Sequence, residues 1–252
     1  VILPRQRVAL ITGAGSAHGI GFAAARLLGA AGMRVIVAST TDRIFARVGE
    51  LRADGIEAEG VVADLTKQSG VDTVVARAEA VYGAVEVLVN NAGMTSISER
   101  YPSGAVARWH ASLDRNLTTT FLMTRAVVGG MQSAGYGRIV NVSSVSGPVA
   151  AYPGDVAYHA AKAGIVGLTR AMAIETAANG VTVNAVAPGW IDTASASDHE
   201  RVMGAATPVG RSGTAAEVGS VIAFLAGEGA SYITGQLITV DGANSISEER
   251  GR

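Results

Sequence analysis

Short apolar runs, most of them closed by glycine, proline or a polar residue, alternate along this chain with longer segments that read as helix. Arg7 to Thr12 is the first such run. It ends in glycines and is followed by the alanine-rich stretch Phe22 to Ala31, which predicts strand, loop and helix in that order. Further strands are predicted at Arg34 to Ala38, Ala58 to Ala63, Val85 to Val89, Gly137 to Val142, Val181 to Val186 and Gln236 to Val240. A long helical segment spans roughly Ala105 to Met131, and another helix carries Tyr158. Strands and helices that alternate throughout predict a mostly parallel sheet of about seven strands, covered by helices on both faces. No internal repeat, low-complexity block or linker divides the chain, so residues 1–252 are expected to form a single domain with a polar, loosely held tail at about 244–252.

Composition narrows the possibilities. Apolar residues make up 48% of the 252 positions, charged residues 16%, and there are 32 glycines, which suits a tightly wound sheet under closely packed helices. No apolar run approaches the roughly 20 residues of a membrane span, and Val1-Ile2-Leu3-Pro4-Arg5 is too short for a signal segment, so a cytoplasmic protein without a membrane partner is expected. The absence of cysteine excludes disulfides, thiolate catalysis and cysteine-ligated zinc. A formal charge of −1 without a basic run argues against nucleic acid as a partner. His110, His159 and His199 read as surface or packing residues rather than ligands, and no metal site is expected.

The loop Gly13-Ala14-Gly15-Ser16-Ala17-His18-Gly19-Ile20-Gly21 joins the first strand to the first helix. Glycines there let backbone approach a pyrophosphate, and the helix N-terminus favours an anion. The second strand ends at Ser39, followed by Thr40, Thr41, Asp42 and Arg43. Hydroxyls and a cation in place of the usual acid favour the 2′-phosphate of NADPH over the free ribose of NADH, although Asp42 offers a rival ribose ligand. Asp64-Leu65 and Asn90-Asn91-Ala92-Gly93 stand at two further strand ends, where a doubly wound sheet receives its ligand. Tyr158 and Lys162 lie one turn apart on one helix face, where a cation can lower the pKa of a phenol toward neutrality.

Taken together, these residues make the chain resemble the short-chain dehydrogenase/reductase family from about Arg7 to Gly242. Thr12-Gly13 with Gly19-Ile20-Gly21 is similar to the family's cofactor loop, Asp64-Leu65 to its adenine-contacting pair, and Asn90-Asn91-Ala92-Gly93 to its sheet-stabilising motif. Asn116, Ser144, Tyr158 and Lys162 fall where its catalytic tetrad is found, and Pro188-Gly189-Trp190-Ile191-Asp192-Thr193 resembles its nicotinamide-side loop. The resemblance implies a Rossmann-type doubly wound parallel α/β sheet and a cofactor held by Gly13, Gly15, Ser16, His18, Gly19, Ile20, Ser39, Thr40, Arg43, Asp64, Leu65, Asn91, Ala92, Gly93, Tyr158, Lys162, Pro188, Gly189, Ile191 and Thr193. Two departures stand out. Five residues separate Gly13 from Gly19 where the usual pattern has three. Carrier-protein reductases of the family place basic residues where this chain has Gly135-Tyr136 and Asn179, which argues against docking of an acyl carrier protein.

The implied reaction is transfer of a hydride from NADPH to a ketone carbonyl while Tyr158 protonates the developing alkoxide. Lys162 would lower the tyrosine pKa and hold the nicotinamide ribose, Ser144 would hydrogen-bond the carbonyl, and Asn116 would hold a proton-relaying water. Enoyl reductases of the family place six residues between Tyr and Lys; here there are three, favouring C=O over C=C chemistry. Pocket candidates are Met94, Thr95, Ser146, Val149, Tyr152, Trp190, Ile191 and the loop from Ala194 to Val209, whose shortness suggests an open site. A 3-oxoacyl thioester is the first expected substrate, a free hydrophobic ketone or its secondary alcohol the second, and a sensor without turnover a remote third. The small-residue face of the Tyr158 helix and Ser231-Tyr232-Ile233-Thr234-Gly235 suggest packing between copies, and the resemblance implies a homotetramer.

Overall fold

The computed structural model describes residues 6–93, 105–194 and 196–248. In chain order the first half comprises β1 (Val8–Thr12), α1 (Ile20–Ala30), β2 (Arg34–Ser39), α2 (Arg43–Ala53), β3 (Ala58–Val62), α3 (Gln68–Val81) and β4 (Val87–Asn90). The second comprises α4 (Ala105–Leu113), α5 (Thr119–Ala134), β5 (Gly137–Val142), α6 (Val156–Thr176), β6 (Val181–Pro188), β7 (Ile191–Asp192), α7 (Asp198–Ala205), β8 (Gly213–Thr214), α8 (Ala215–Ala226) and β9 (Leu237–Val240). Seven strands form one sheet in the order β3-β2-β1-β4-β5-β6-β9, every pair parallel. This is the doubly wound α/β architecture, with its switch point between β1 and β4, where the winding direction reverses and a crevice opens above the strand ends.

Strand side chains alternate between two cores, as the pleat requires. Ala9 and Ile11 of β1, with Val35 and Val37 of β2, face Phe22 and Leu28 of α1 and Val218, Ile222 and Leu225 of α8. Val8, Leu10, Ile36 and Ala38 face the other way, onto Val71 and Val74 of α3 and Met123, Val127 and Met131 of α5. A chain of side-chain hydrogen bonds crosses the second face. Asn90 Nδ2 donates to Thr124 Oγ1 at 3.0 Å and to Asn141 Oδ1 at 2.9 Å, and Asn141 Nδ2 donates to Thr169 Oγ1 at 2.9 Å. β4, β5, α5 and α6 are thereby tied together inside the core.

At the opposite end of the sheet, two guanidinium groups lie over the Tyr136 ring, Arg7 at 3.3 Å and Arg138 at 4.3 Å from its centroid. Arg7 pairs with Glu86 and Glu228, both at 2.8 Å, and the buried Arg138 reaches Glu228 at 3.6 Å. Both cations are therefore spent inside the structure, on a ring and two carboxylates.

Three elements differ from expectation. The helix expected to run from Ala105 to Met131 is interrupted by a π-helical turn, Asp114–Thr118, and continues to Ala134. The segment from Ala194 to Val209 contains a helix, α7, whose N-terminus is closed by a capping box between Ser197 and Glu200. Both ends of that segment are joined by the short parallel ladder of β7 with β8, which pairs Ile191 with Gly213 and Asp192 with Thr214.

Candidate active site

The loop after β1 is built for close approach. Gly13 has φ +68°, and a Cβ there would lie 2.8 Å from Cα of Ala92, so only glycine fits both the turn and the neighbouring chain. Asn91 braces this loop rather than pointing away from it: its Nδ2 donates to the carbonyls of Thr12 and Gly13, each at 3.0 Å. Thr12 Oγ1 in turn accepts from the N–H groups of Asn91 and Ala92. Gly19 stands at the N-cap of α1 without a side-chain cap, while Ser16 is half-buried and Ala17 and His18 are exposed. The first-turn N–H groups are thus left for an anion, in a cradle walled by backbone.

Beyond β2, Ser39 Oγ donates to the Thr41 carbonyl at 2.7 Å and accepts from Thr41 N–H at 3.2 Å, which folds the strand end back on itself. Arg43 Nε donates to Thr41 Oγ1 at 3.2 Å, and among the described residues no carboxylate pairs with the guanidinium. Asp42 occupies the N-cap position of α2 but makes no capping bond. After β3, Asp64 Oδ1 accepts from the N–H and hydroxyl of Thr66, which hold its carboxyl below the usual carboxylate range, and Leu65 is buried beneath. The residues present fit a dinucleotide: glycines where a side chain would block the loop, open N–H groups for the pyrophosphate, and hydroxyls with an unmatched cation at the ribose end.

The four tetrad candidates come from three places in the fold: the π-helical turn (Asn116), the loop after β5 (Ser144) and α6 (Tyr158 and Lys162). Asn116 lies within the π-helical turn, buried, its Nδ2 donating to the Ser112 carbonyl at 3.0 Å. Such turns widen the helix and re-aim one side chain, a recurrent device at functional sites. Gly93 is where they meet: a Cβ on it would lie 2.6 Å from Asn116 Oδ1 and 3.4 Å from Lys162 Nζ. Lys162 is 5% exposed; its Nζ donates to the Val142 carbonyl at 3.0 Å and lies 5.5 Å from the Tyr158 ring centroid. Ser143 Oγ anchors the same turn through the Lys162 carbonyl at 2.8 Å, and Ser144, one residue on, hydrogen-bonds the Tyr158 hydroxyl.

The electrostatics correct one expectation. Burial pushes the Tyr158 phenol above its ordinary range; the Ser144 hydrogen bond pulls it down, and the Asp155 and Glu200 carboxylates push it up again. Lys162 does not depress it as the chain stands, because burial has drawn the lysine's own pKa down to about 8 and its Nζ is directed at Val142.

On the substrate side, Ser146 N–H donates to Ser144 Oγ at 3.1 Å, while Val149 and Tyr152 lie exposed on the loop leading into α6. Burial and the adjoining Asp155 push the Tyr152 phenol up. Trp190 is half-buried at the end of β6 and packs edge-on to His199 of α7, ring centroids 6.5 Å apart. Pro188 closes β6, Gly189 N–H donates to the Val240 carbonyl, and Ile191 packs on the core. Thr193 accepts from Ala196 N–H through its carbonyl. Met94 and Thr95 lie outside the described residues. Sequence reasoning passed over Asp155, the buried N-cap of α6, whose Oδ1 accepts from Tyr158 N–H at 3.2 Å; an Asp three residues before Tyr158 is a legible cap signal.

Comparisons with known proteins agree with this geometry. A family model described as enoyl-(acyl carrier protein) reductase matches residues 13–243. A protein of Streptomyces virginiae named as a ketoacyl reductase of the monensin polyketide synthase is 40% identical, over 94% of this chain and 96% of its own. Cis-4-hydroxycyclohexanecarboxylate dehydrogenase of Sinomonas cyclohexanicum is 39% identical over the same shares. The solved structure of an actinorhodin polyketide ketoreductase variant with NADPH superposes with a TM-score of 0.88 at 35% identity, covering 96% of this chain and 98% of that one. With the doubly wound sheet, the glycine-lined loop and the matched length, the chain belongs to the short-chain dehydrogenase/reductase family of oxidoreductases.

Proposed function

We propose that this protein is an NADPH-dependent ketoreductase, with a 3-oxoacyl thioester as first-choice substrate. The observation that carries the reading is the meeting of Ser144, Tyr158, Lys162 and Asn116 beside the glycine-lined loop, with the tyrosine hydroxyl already hydrogen-bonded to Ser144. Gly13, Gly15, Ser16, Gly19 and Ile20 would hold the pyrophosphate, Ser39, Thr40 and Arg43 the 2′-phosphate, Asp64 and Leu65 the adenine, and Gly189, Ile191 and Thr193 the nicotinamide. When bound, the dinucleotide supplies the hydride. Ser144 orients the carbonyl oxygen toward the phenol, Tyr158 gives its proton to that oxygen, and Lys162 with Asn116 returns a proton from solvent to Tyr158. General acid catalysis of this kind contributes about 10² to 10⁴ in rate. The family model carries an enoyl reductase description, but the three residues between Tyr158 and Lys162 favour carbonyl reduction.

A second reading, a dehydrogenase of free cyclic or hydrophobic secondary alcohols, is supported by the Sinomonas relative. Carrier-protein docking is disfavoured on both readings: Tyr136 lies under Arg7 and Arg138, whose charges Glu86 and Glu228 neutralise, and Asn179 Oδ1 accepts from Gln132. No helix among the described residues is long and apolar enough to cross a membrane. We place the protein in the cytoplasm, as a homotetramer of single-domain subunits. The fully exposed Tyr232 and the largely exposed Ile174 offer apolar surface for such contacts, and light scattering tests the assembly. For the reaction, β-ketoacyl thioesters and simple ketones are to be assayed with NADPH, wild type against Tyr158→Phe. The expected result is turnover of at least one ketone and a loss of at least 100-fold in kcat for Tyr158→Phe, about the contribution of a general acid; a folded variant with near-full turnover would refute the assignment.

A further inference from the structure

His159 follows the candidate acid directly, yet plays no part in the chemistry above. Both of its ring nitrogens are engaged. The backbone N–H of Tyr152 donates to Nε2 at 3.1 Å, and Nδ1 lies 2.6 Å from the carbonyl oxygen of Asp155. An N–H can only donate and a carbonyl can only accept, so Nε2 carries the lone pair and Nδ1 the hydrogen. The pair of contacts therefore selects one neutral tautomer. The Tyr152 ring packs edge-on against the same imidazole, centroids 4.5 Å apart at 67°, and the Tyr158 ring stands 6.3 Å away.

We propose that His159 is a positioning residue: its neutral Nδ1–H imidazole clips the loop 149–155 onto the first turn of α6 and so fixes the wall that Tyr152 presents to the substrate. The identity of the substrate rests on the ketoreductase reading; the clip does not. The groups around the ring are Asp155 and Tyr152 from the loop, Tyr158 from α6 and, reaching both phenols, Glu200 from α7. Lys162, the nearest cation on α6, is turned to Val142 of β5. Loss of the Nε2 acceptor would leave the Tyr152 N–H without its partner and release the loop. Tyr158 and Lys162 keep their own anchors, Ser144 and Val142, so the consequence falls on substrate binding rather than on turnover.

The test compares wild type, His159→Gln and His159→Leu. Glutamine places a non-titrating carbonyl acceptor at the reach of Nε2; leucine places none. Steady-state kinetics are run at about pH 8 with saturating NADPH and the best ketone of the panel. Loss of one hydrogen bond predicts a KM about fivefold higher for His159→Leu than for wild type, with kcat ratios near one, while His159→Gln keeps a KM close to that of wild type. Wild type and His159→Leu with equal KM at pH 8 would overturn the proposal. The second measurement needs no substrate: two-bond ¹H–¹⁵N spectra of the ring, assigned by loss of the signal in His159→Leu. The Nδ1–H tautomer at pH 8 supports the clip even where no ketone of the panel turns over, and an Nε2–H tautomer refutes it.

Discussion

Replacing Lys162 with methionine removes a buried charge while keeping the length of the side chain. Lys162 is 5% exposed, and burial lowers its pKa from 10.5 to about 8. Unfolding restores the ordinary value, and a difference of about 2.5 units corresponds to about 3 kcal/mol at about 1.4 kcal/mol per unit. The folded pKa lies below the unfolded one, so between pH 8 and 10.5 the unfolded chain binds more protons and stability rises with pH. Below pH 8 the cost of the buried cation is fully present. Methionine abolishes that cost but also the hydrogen bond to the Val142 carbonyl, worth about 1.5 to 3 kcal/mol for a charged donor, so at pH 7 the two chains are expected within about 2 kcal/mol of each other. The decisive quantity is the slope. Urea unfolding at one protein concentration, from pH 7 to about 10.5, should show wild type gaining about 2 to 3 kcal/mol on Lys162→Met, since other titrations are common to both chains. A difference that stays constant across that range would refute the reasoning. Activity of the variant should fall at every pH.

Two further outcomes follow from the cofactor end and the core. Arg43→Glu should raise KM for NADPH about tenfold or more through repulsion of the 2′-phosphate while leaving KM for NADH within about threefold; a parallel loss with both cofactors would remove Arg43 from the site. Asn90→Ala removes the donor that Thr124 and Asn141 share inside the core and should cost about 2 to 3 kcal/mol in urea unfolding, with a loss under about 0.5 kcal/mol counting against the network.

The sheet was legible because each of its strands is an apolar run closed by turn-forming or polar residues, and β5 occupies the expected residues, Gly137–Val142. The tetrad positions were legible as residue types in order. What sequence could not supply was anything set by distant packing. The π-helical turn around Asn116 leaves no mark in residue pattern, since Asp114-Arg115-Asn116-Leu117-Thr118 reads as ordinary helix. The upward pressure on Tyr158 comes from burial, from the nearby Asp155 and from Glu200 on α7, an element far along the chain. α7 itself carried a readable signal in Ser197 and Glu200, but one overridden by the polar, glycine-containing setting of its segment. His159 gave none, because its partner Tyr152 is brought to it only by the loop's path.

The ladder of β7 with β8 has an evolutionary reading. Its two residue pairs, Ile191 with Gly213 and Asp192 with Thr214, close the base of the intervening stretch, and Arg211 clamped to Glu217 of α8 holds the return. Whatever lies between is anchored independently of its own sequence, and the entropy of closing it grows only slowly with length. That stretch is an exchangeable cassette. Helices of other lengths and linings spliced between Thr193 and Arg211 are expected to leave β6, α6 and the groups they carry in register.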